Sequence, residues 1–280
     1  MKRHTAVALL FMAVALLANQ ARASVFFSTG APDGRLGAVT QTAGNGHIES
    51  EAADDFILAA PSAITNGSFT GLLPSNTPLS NIQQVEVEIY NVFPRFSVDP
   101  PDGMVPTRTN SPSDNVSLIR GGAIGYLTFS PTILSSSFTV ANTIVNGINK
   151  SPNQTTGGEG PISGEEVQFN VNFVIPFTLP AGHYFFVPQV LLSNGNFLWL
   201  STPRSAPIFP GDLQAWIRNT NLDPDWLRMG TDIVGGSPAP TFNMAFSIDG
   251  KETPEPASLG LAGLGLVALI AAKRNVRRSR

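Results

Sequence analysis

Apolar residues at every second position constrain the fold of this chain more than any other feature. Residues 167–175 alternate apolar and polar side chains, so an extended strand there buries one face. About ten segments with strand-like patterns lie between residues 24 and 253. They are residues 25–28, 55–58, 68–72, 85–92, 123–129, 137–145, 167–175, 183–192, 197–201 and 242–248. We therefore predict an all-β fold, an antiparallel β-sandwich of the jelly-roll type, as one domain over residues 24–253.

Helical signals are few in this middle segment. Only residues 213–218 fit a short helical turn, and a parallel α/β fold is disfavoured because it needs helical crossovers. Two long connections, residues 94–115 and 150–164, are rich in Pro or in Gly and polar residues. Connections of this length are usually functional or disordered.

The charge of the middle segment excludes one class of partner. Nine basic residues stand against 19 acidic residues between residues 24 and 253, which gives a net charge of −10. Binding of nucleic acid requires a clustered basic face, so we expect no nucleic-acid partner. The chain has no cysteine, which excludes disulfides, thiolate metal sites and cysteine nucleophiles.

The first 23 residues have the three parts of a signal peptide. A basic start precedes an apolar run of 13 residues, and Ala21 and Ala23 form a small-x-small cleavage site. We predict that signal peptidase cleaves before Ser24. An N-terminal anchor or a buried core helix fits less well, because 13 residues are short for a bilayer.

The last part of the chain, residues 254–280, has the features of a membrane-spanning tail. Pro254, Glu255 and Pro256 precede a 16-residue run without charge, residues 257–272. The basic segment that follows, residues 273–280, contains Lys273, Arg274, Arg277, Arg278 and Arg280. As a helix the run would be about 24 Å long, and flanking basic side chains can reach the interface of a hydrocarbon core of about 30 Å.

Basic residues prefer the cytoplasmic side of a membrane. We therefore predict a transmembrane helix with a cytoplasmic C-terminus and the β domain on the other side. This orientation agrees with the N-terminal signal peptide. The two prolines form an extended, accessible spacer between domain and membrane.

The Pro-Glu-Pro motif, the Gly- and Leu-rich run and the Arg-rich end together resemble the PEP-CTERM sorting signal. In that family the tail is a substrate of exosortase, a membrane-embedded, transpeptidase-like cysteine protease that cuts near the motif. The resemblance implies a single-pass inner-membrane precursor in a Gram-negative bacterium, then release to the cell surface or the extracellular polysaccharide matrix. A plain single-pass anchor with an accidental Pro-Glu-Pro is the alternative. Residues 51–56, 226–230 and 242–250 also resemble opening and closing strands of β-sandwich cargo in other PEP-CTERM proteins.

Candidate metal ligands are restricted to carboxylates. Apart from His4 in the signal peptide, only His47 and His183 occur, too few for a histidine metal site or an acid-base relay. Four acids within seven residues are the candidate calcium ligands: Glu49, Glu51, Asp54 and Asp55. The alternative is that these acids are solvated turn charges or strand-end caps. We expect no other cofactor.

Two further patterns bear on ligands and catalysis. Glu86 and Glu88 lie on one face of a strand about 7 Å apart, near the spacing of a retaining glycosidase pair, although alternating Glu on a solvated face is commoner. Trp199, Trp216 and Trp226 lie in the last third of the chain and are candidates for stacking on a sugar if exposed, or core residues if buried. No residue is predicted to be catalytic.

Three functions remain open from the sequence. The leading interpretation is a non-enzymatic cell-surface or extracellular-matrix protein with a structural, carbohydrate-binding or protein-binding role, with extracellular polysaccharide as the candidate partner. The alternative is an extracellular polysaccharide hydrolase that uses a carboxylate pair. Ice binding is raised because the same tail occurs on ice-binding proteins. It is disfavoured because the sequence has no T-x-T ladder for a flat Thr-rich face.

Overall fold

The computed structural model describes residues 24–98, 105, 108–149, 151, 155–204 and 209–253. This part of the chain is mostly β, with a 3₁₀ turn at Leu79–Asn81 and a short π-helical turn at Met229–Val234. Within these ranges, no helix has both the length and the apolarity needed to cross a membrane. The predicted signal peptide, residues 1–23, and the predicted sorting tail, residues 254–280, lie outside the described residues.

The described residues form fifteen strands. In chain order they are β1 (Ser24–Ser28), β2 (Leu36–Val39), β3 (Ser50–Leu58), β4 (Ser62–Pro74), β5 (Ile82–Asn91), β6 (Leu118–Gly121), β7 (Leu127–Val140), β8 (Asn142–Ile144), β9 (Ile162–Leu179), β10 (Gly182–Leu192), β11 (Leu198–Thr202), β12 (Trp216–Asn219), β13 (Leu227–Arg228), β14 (Asn243–Met244) and β15 (Phe246–Glu252).

The smaller sheet has six strands in the order β13-β12-β3-β10-β5-β6, and its pairs are antiparallel. β3 and β10 lie at its centre and are buried along most of their length. Strands that are covered on both faces become apolar on both faces, which explains the run of large side chains in β10.

The larger sheet has nine strands and is organised around β4. One side of β4 pairs with β9, and the other side pairs with β15 and then with β11. β1 extends the sheet beyond β15, whereas β2 and then β8 extend it beyond β11. The β2–β8 pair is parallel.

β7 lies outside β9 and forms an edge of the larger sheet in the described part of the chain. Its 14 residues include no charged side chain. The pairing with β9 shifts register between Ile133 and Ser135 and again between Ser135 and Phe138. Pro131, within the strand, has no N–H to donate.

The main hydrophobic core joins the two sheets through aromatic rings. Phe246 of β15 stacks on Phe186 of β10, with ring centroids 5.0 Å apart and an interplanar angle of 2°. The Phe246 ring also meets Trp199 of β11 at 5.8 Å and Phe56 of β3 at 6.4 Å. Aromatic rings bury large areas, so this packing provides much of the cohesion that a cysteine-free chain requires.

A second, smaller core lies on the other face of the six-stranded sheet. Its buried members are Ala53, Tyr90, Phe185, Val187, Trp216 and Trp226. The described part of the Pro-rich connection after β5 covers it: Trp226 Nε1 donates to the Ser113 carbonyl oxygen at 3.3 Å, and Val92 forms a β-bridge with Pro112. The long connection predicted from the sequence therefore closes one outer face of the protein.

The all-β prediction is confirmed, and strand formation follows most of the predicted segments. The jelly-roll connectivity stays a prediction. The prediction of a helical turn at residues 213–218 is wrong, because Trp216–Asn219 forms β12 between β3 and β13. Tertiary pairing decides the conformation of so short a segment. The predicted strand at residues 123–129 begins only at Leu127, after a turn.

Replacing Phe246 by Ala tests the role of ring packing between the sheets. We expect a loss of about 3–5 kcal/mol in the free energy of unfolding, because a large buried side chain is removed and a cavity remains. The measurement is denaturant unfolding. Phe96→Ala is the control, since Phe96 is 51% exposed and should cost less than about 1 kcal/mol. Equal losses in the two variants would contradict this assignment of the core.

Candidate functional site

The three tryptophans are buried, which supports the core alternative and not the stacking on a ligand. Trp199, Trp216 and Trp226 are 0%, 1% and 0% exposed. Trp199 packs in the main core, and its Nε1 donates to the Ala245 carbonyl oxygen at 2.8 Å. Stacking on a sugar needs a ring face open to solvent, so these indoles serve packing.

The candidate calcium ligands are held by different protein partners. The predicted set was Glu49, Glu51, Asp54 and Asp55. Glu51 forms an ion pair with Arg218, whereas Asp54 accepts a hydrogen bond from the Met244 N–H at 2.7 Å. In the described ranges, no group of three or more His, Asp or Glu side chains is arranged to hold a metal ion. Calcium binding stays a prediction, without a preformed ligand set in this part of the chain.

Asp54 and Asp55 instead anchor neighbouring segments. Burial, followed by the charge of Asp55, raises the pKa of Asp54 well above its ordinary value. Asp55 accepts from the Leu213 N–H at 3.1 Å and lies 2.5 Å from Nε2 of His183. Burial raises the pKa of Asp55, although the hydrogen bond and charge of His183 oppose this. These contacts fasten the segment before β12 to the six-stranded sheet.

A buried polar network lies beneath the Pro-rich connection. Arg218 of β12 donates from Nη2 to Glu51 Oε1 at 3.2 Å and to the Tyr90 hydroxyl at 2.9 Å. That hydroxyl lies 2.6 Å from Glu51 Oε1 and 2.9 Å from Glu88 Oε2. The guanidinium is also 4.4 Å from the centroid of the Trp226 ring. Each of these residues is at most 5% exposed.

Glu88 is the member of this network that keeps its proton at neutral pH. Burial and then the neighbouring charge of Glu51 raise the pKa of Glu88 to about 9. A single Tyr90 proton cannot serve two carboxylates, and a neutral Glu88 supplies the missing donor. This arrangement satisfies the buried polar atoms of the network.

The network bears directly on the hydrolase alternative, which pairs Glu86 with Glu88. Glu88 is 5% exposed and engaged with Tyr90, and it lines neither of the two cavities described below. A glycosidase needs both carboxyl groups at a cleft that admits a sugar. The geometry of Glu88 is that of a structural group.

Replacing Glu88 by Gln tests the proton on this carboxyl. Between pH 4.5 and about 9 the folded state holds a proton that the unfolded state releases, so stability falls as pH rises. In Glu88→Gln, the free energy of unfolding should fall less steeply with pH, by up to about 1.4 kcal/mol per pH unit. The variant should therefore be more stable than the wild type at pH 8. The measurement is urea unfolding across pH 5–8.

The matched control is Glu252→Gln, which makes the same chemical change at an exposed position of β15. Its unfolding free energy should follow the wild-type pH dependence. Parallel curves for wild type and Glu88→Gln would show that Glu88 is ionised in the folded state.

A cavity of about 490 Å³ lies where ends of strands from both sheets meet. It is bounded by the end of β2, the start of β3, the segment after β8 and the end of β12. We call it the amide cavity, because six of its lining residues are Gln41, Asn146, Asn149, Asn196, Asn219 and Asn221. None of its described lining residues is Asp, Glu, Lys or Arg.

The amides of this cavity divide into fixed and available groups. Asn219 donates from Nδ2 to the Ile148 carbonyl oxygen at 2.9 Å and accepts from the Asn221 N–H at 3.0 Å. In the described part of the chain, the side chains of Asn146 and Asn196 make no hydrogen bond, so their donors and acceptors face a ligand or water. Ile48 is 48% exposed and adds an apolar contact surface.

A second cavity, of about 440 Å³, differs from the amide cavity because charged side chains line it. It is lined by Arg204, Asp212 and Arg228, by polar residues, and by Leu213 and Trp216. Arg204 pairs with Asp212 at 3.3 Å, and Arg228 pairs with Asp232 at 2.6 Å. Its charged groups are therefore already engaged within the protein.

Sequence reasoning did not find the amide cavity. Its residues come from positions 39 to 221, and single asparagines in turns carry no functional signal because asparagine is common there for conformational reasons. Only the pairing of the strands brings them together.

Comparison with known proteins identifies the tail. A family model described as the PEP-CTERM protein-sorting motif matches residues 252–278. No curated protein and no solved structure matches the chain. The chain thus carries a PEP-CTERM sorting motif at its C-terminal end. This motif implies an exported surface protein that passes through a membrane-anchored precursor, with exosortase as processing partner.

Proposed function

We propose that this protein is a non-enzymatic component of the cell surface or extracellular matrix that binds a neutral carbohydrate in its amide cavity. The observation that carries the proposal is a cavity rich in amide side chains whose described lining includes His47 but no Asp, Glu, Lys or Arg. The jelly-roll-like sandwich is our proposal for the fold that supports it.

The chemistry of the amide cavity suits sugar hydroxyl groups. A hydroxyl donates and accepts hydrogen bonds, and an amide side chain offers both kinds of partner without a charge. The volume of about 490 Å³ lies in the usual range for small-molecule sites. The net charge of −10 on residues 24–253 disfavours acidic polysaccharides, which the domain would repel.

Binding without hydrolysis has the better support. The described lining of the amide cavity includes no carboxylate that would act as acid, base or nucleophile. The hydrolase alternative would have to use Glu88, which is buried. It predicts that Glu88→Gln abolishes hydrolysis of an extracellular polymer.

The proposed route to the surface follows the sequence of the two ends. Signal peptidase removes residues 1–23, and residues 257–272 hold the precursor in the inner membrane with the basic end in the cytoplasm. Exosortase then cuts near Pro254, Glu255 and Pro256, and the domain reaches the surface or the matrix.

Replacing Pro254, Glu255 and Pro256 together by Ala tests this route. The variant should stay in the membrane fraction, because the protease loses its recognition motif, whereas the wild type appears later as a shorter soluble or matrix form. Immunoblots of fractions over time measure the two forms. Processing of the variant at the wild-type rate would contradict the proposed role of the motif.

Replacing Asn196 by Ala tests carbohydrate binding in the amide cavity. The exported form is purified from the producing cells and screened against soluble neutral and acidic oligosaccharides, and its affinity for each bound sugar is measured by calorimetry. We expect neutral sugars to bind and Asn196→Ala to weaken binding about 3- to 10-fold, the effect of one or two lost hydrogen bonds.

Asn194→Ala provides the matched control, because Asn194 is exposed two residues away and does not line the cavity. It should bind as the wild type does. A preference for acidic sugars, or equal affinities of the two variants, would refute the proposed site.

A further inference from the structure

The outer face of the nine-stranded sheet carries a row of small polar side chains that crosses five strands. The pairing registers place Ser130 of β7 opposite Asn170 of β9, and Asn170 opposite Ser68 of β4. They continue from Ser68 to Ser247 of β15 and from Ser247 to Ser28 of β1. Because side chains alternate along strands, the neighbours of this row, such as Phe69 and Phe169, face the core.

Two further rows flank the first. On one side Thr128, Asn172, Asn66 and Asp249 lie opposite one another on β7, β9, β4 and β15. On the other side Thr132 of β7 lies opposite Gln168 of β9. We call these eleven residues the polar array. All of them are exposed or half-buried.

The polar array is regular and partly pre-ordered. Neighbouring strands are about 4.8 Å apart and alternate residues about 6.8 Å apart, so the array covers roughly 19 by 14 Å. Ser68 Oγ and Ser247 Oγ are hydrogen-bonded at 2.8 Å, and Asn66 Nδ2 donates to Asn172 Oδ1 at 3.1 Å. Side chains that hold one another in place lose less entropy when a ligand binds.

The polar array is almost uncharged, in contrast to the rest of the domain. Only Asp249 among its eleven residues is ionisable, and burial raises the pKa of this carboxyl. Most ion pairs found in the described residues, such as those of Arg218 and Arg228, lie on the six-stranded sheet or in its loops, whereas Arg204 of one pair follows β11 of the nine-stranded sheet. None of these pairs includes a residue of the array. Within the array, a domain of net charge −10 therefore presents hydroxyls and amides with a single ionisable side chain, and Glu166 of β9 borders the array two residues from Gln168.

We propose that the polar array binds a chain of neutral polysaccharide, laid along its rows. A polymer of sugar units presents hydroxyl groups at repeating intervals, and a regular set of neutral donors and acceptors complements such a ligand along several units. An anionic polymer finds no counter-charge in the array, and the large exposed apolar side chains, such as Val174 two residues from Asn172, lie outside it. The proposal builds on the proposed carbohydrate-binding role but uses a surface separate from the amide cavity.

Asn170→Asp is the decisive variant, since it places a negative charge at the centre of the array with almost no change in shape. Asn194→Asp is its matched control, with the same charge change at an exposed asparagine outside the array. The exported protein and both variants are sedimented with amorphous cellulose, curdlan and the acidic polymer alginate, each at low and high salt.

We expect neutral polymers to bind the wild type and Asn194→Asp equally. Asn170→Asp should bind at least about tenfold more weakly, because the amide donors are lost and a carboxylate must be desolvated. Binding should change little with salt, since no net charge pairing is involved. A second variant, Thr128→Val with Ser130→Ala and Thr132→Val, removes three hydroxyls while keeping side-chain shape and should also bind weakly. Unchanged melting temperatures show that both variants are folded.

Several outcomes would overturn the proposal: equal binding by Asn170→Asp and the wild type, preference for alginate, or wild-type binding to ice crystals without binding to either neutral polymer. The experiment is separate from that on the amide cavity. Asn196→Ala with soluble sugars tests the cavity, whereas Asn170→Asp with insoluble polymers tests the array, so either can fail alone.

Discussion

The ion pair of Glu51 with Arg218 is the contact on which the outer side of the six-stranded sheet depends. Both residues are 5% exposed, and leaving one charge of a buried pair without its partner typically costs about 3–5 kcal/mol. The same guanidinium donates to the carbonyl oxygens of Asp114 and Pro224 and stacks on Trp226. It thereby connects β3 and β12 with the Pro-rich connection and with the loop before β13. These contacts keep the Pro-rich connection packed over the second core.

The two outer faces of the protein are therefore built on different physical principles. On the six-stranded sheet, charges and large aromatic side chains are buried under a covering segment, and Glu51, Arg218 and Tyr90 are hydrogen-bonded to one another. On the nine-stranded sheet, the small side chains of the polar array remain open to solvent beside exposed apolar residues such as Leu134 and Val174. The conspicuous tryptophans of the sequence are packed inside the protein. Three of the four clustered acids, Glu51, Asp54 and Asp55, contact protein partners.

Strand formation was largely predictable from the sequence, whereas the sites were not. The alternation in residues 167–175 is sufficient to predict β9, because a single strand can be recognised from its own alternation of apolar and polar residues. To predict the polar array, one also needs the register of β9 against β4 and β7. No local sequence pattern specifies this register. β12 was mispredicted because four residues carry too little local signal, and pairing with β3 decides their conformation. The tail was predictable because its motif is contiguous and acts as a linear segment.

The edge strand β7 has a consequence for association between copies of this protein. An uncharged edge of 14 residues would ordinarily invite strand addition from neighbouring molecules and lead to aggregation. Pro131 removes one donor from the ladder, and the register shifts around Ser135 disturb the even spacing of the remaining backbone groups. A strand from a second molecule therefore finds no continuous row of evenly spaced backbone groups to pair with. The chain can keep a neutral surface at high local concentration without the protective charges that edge strands usually carry.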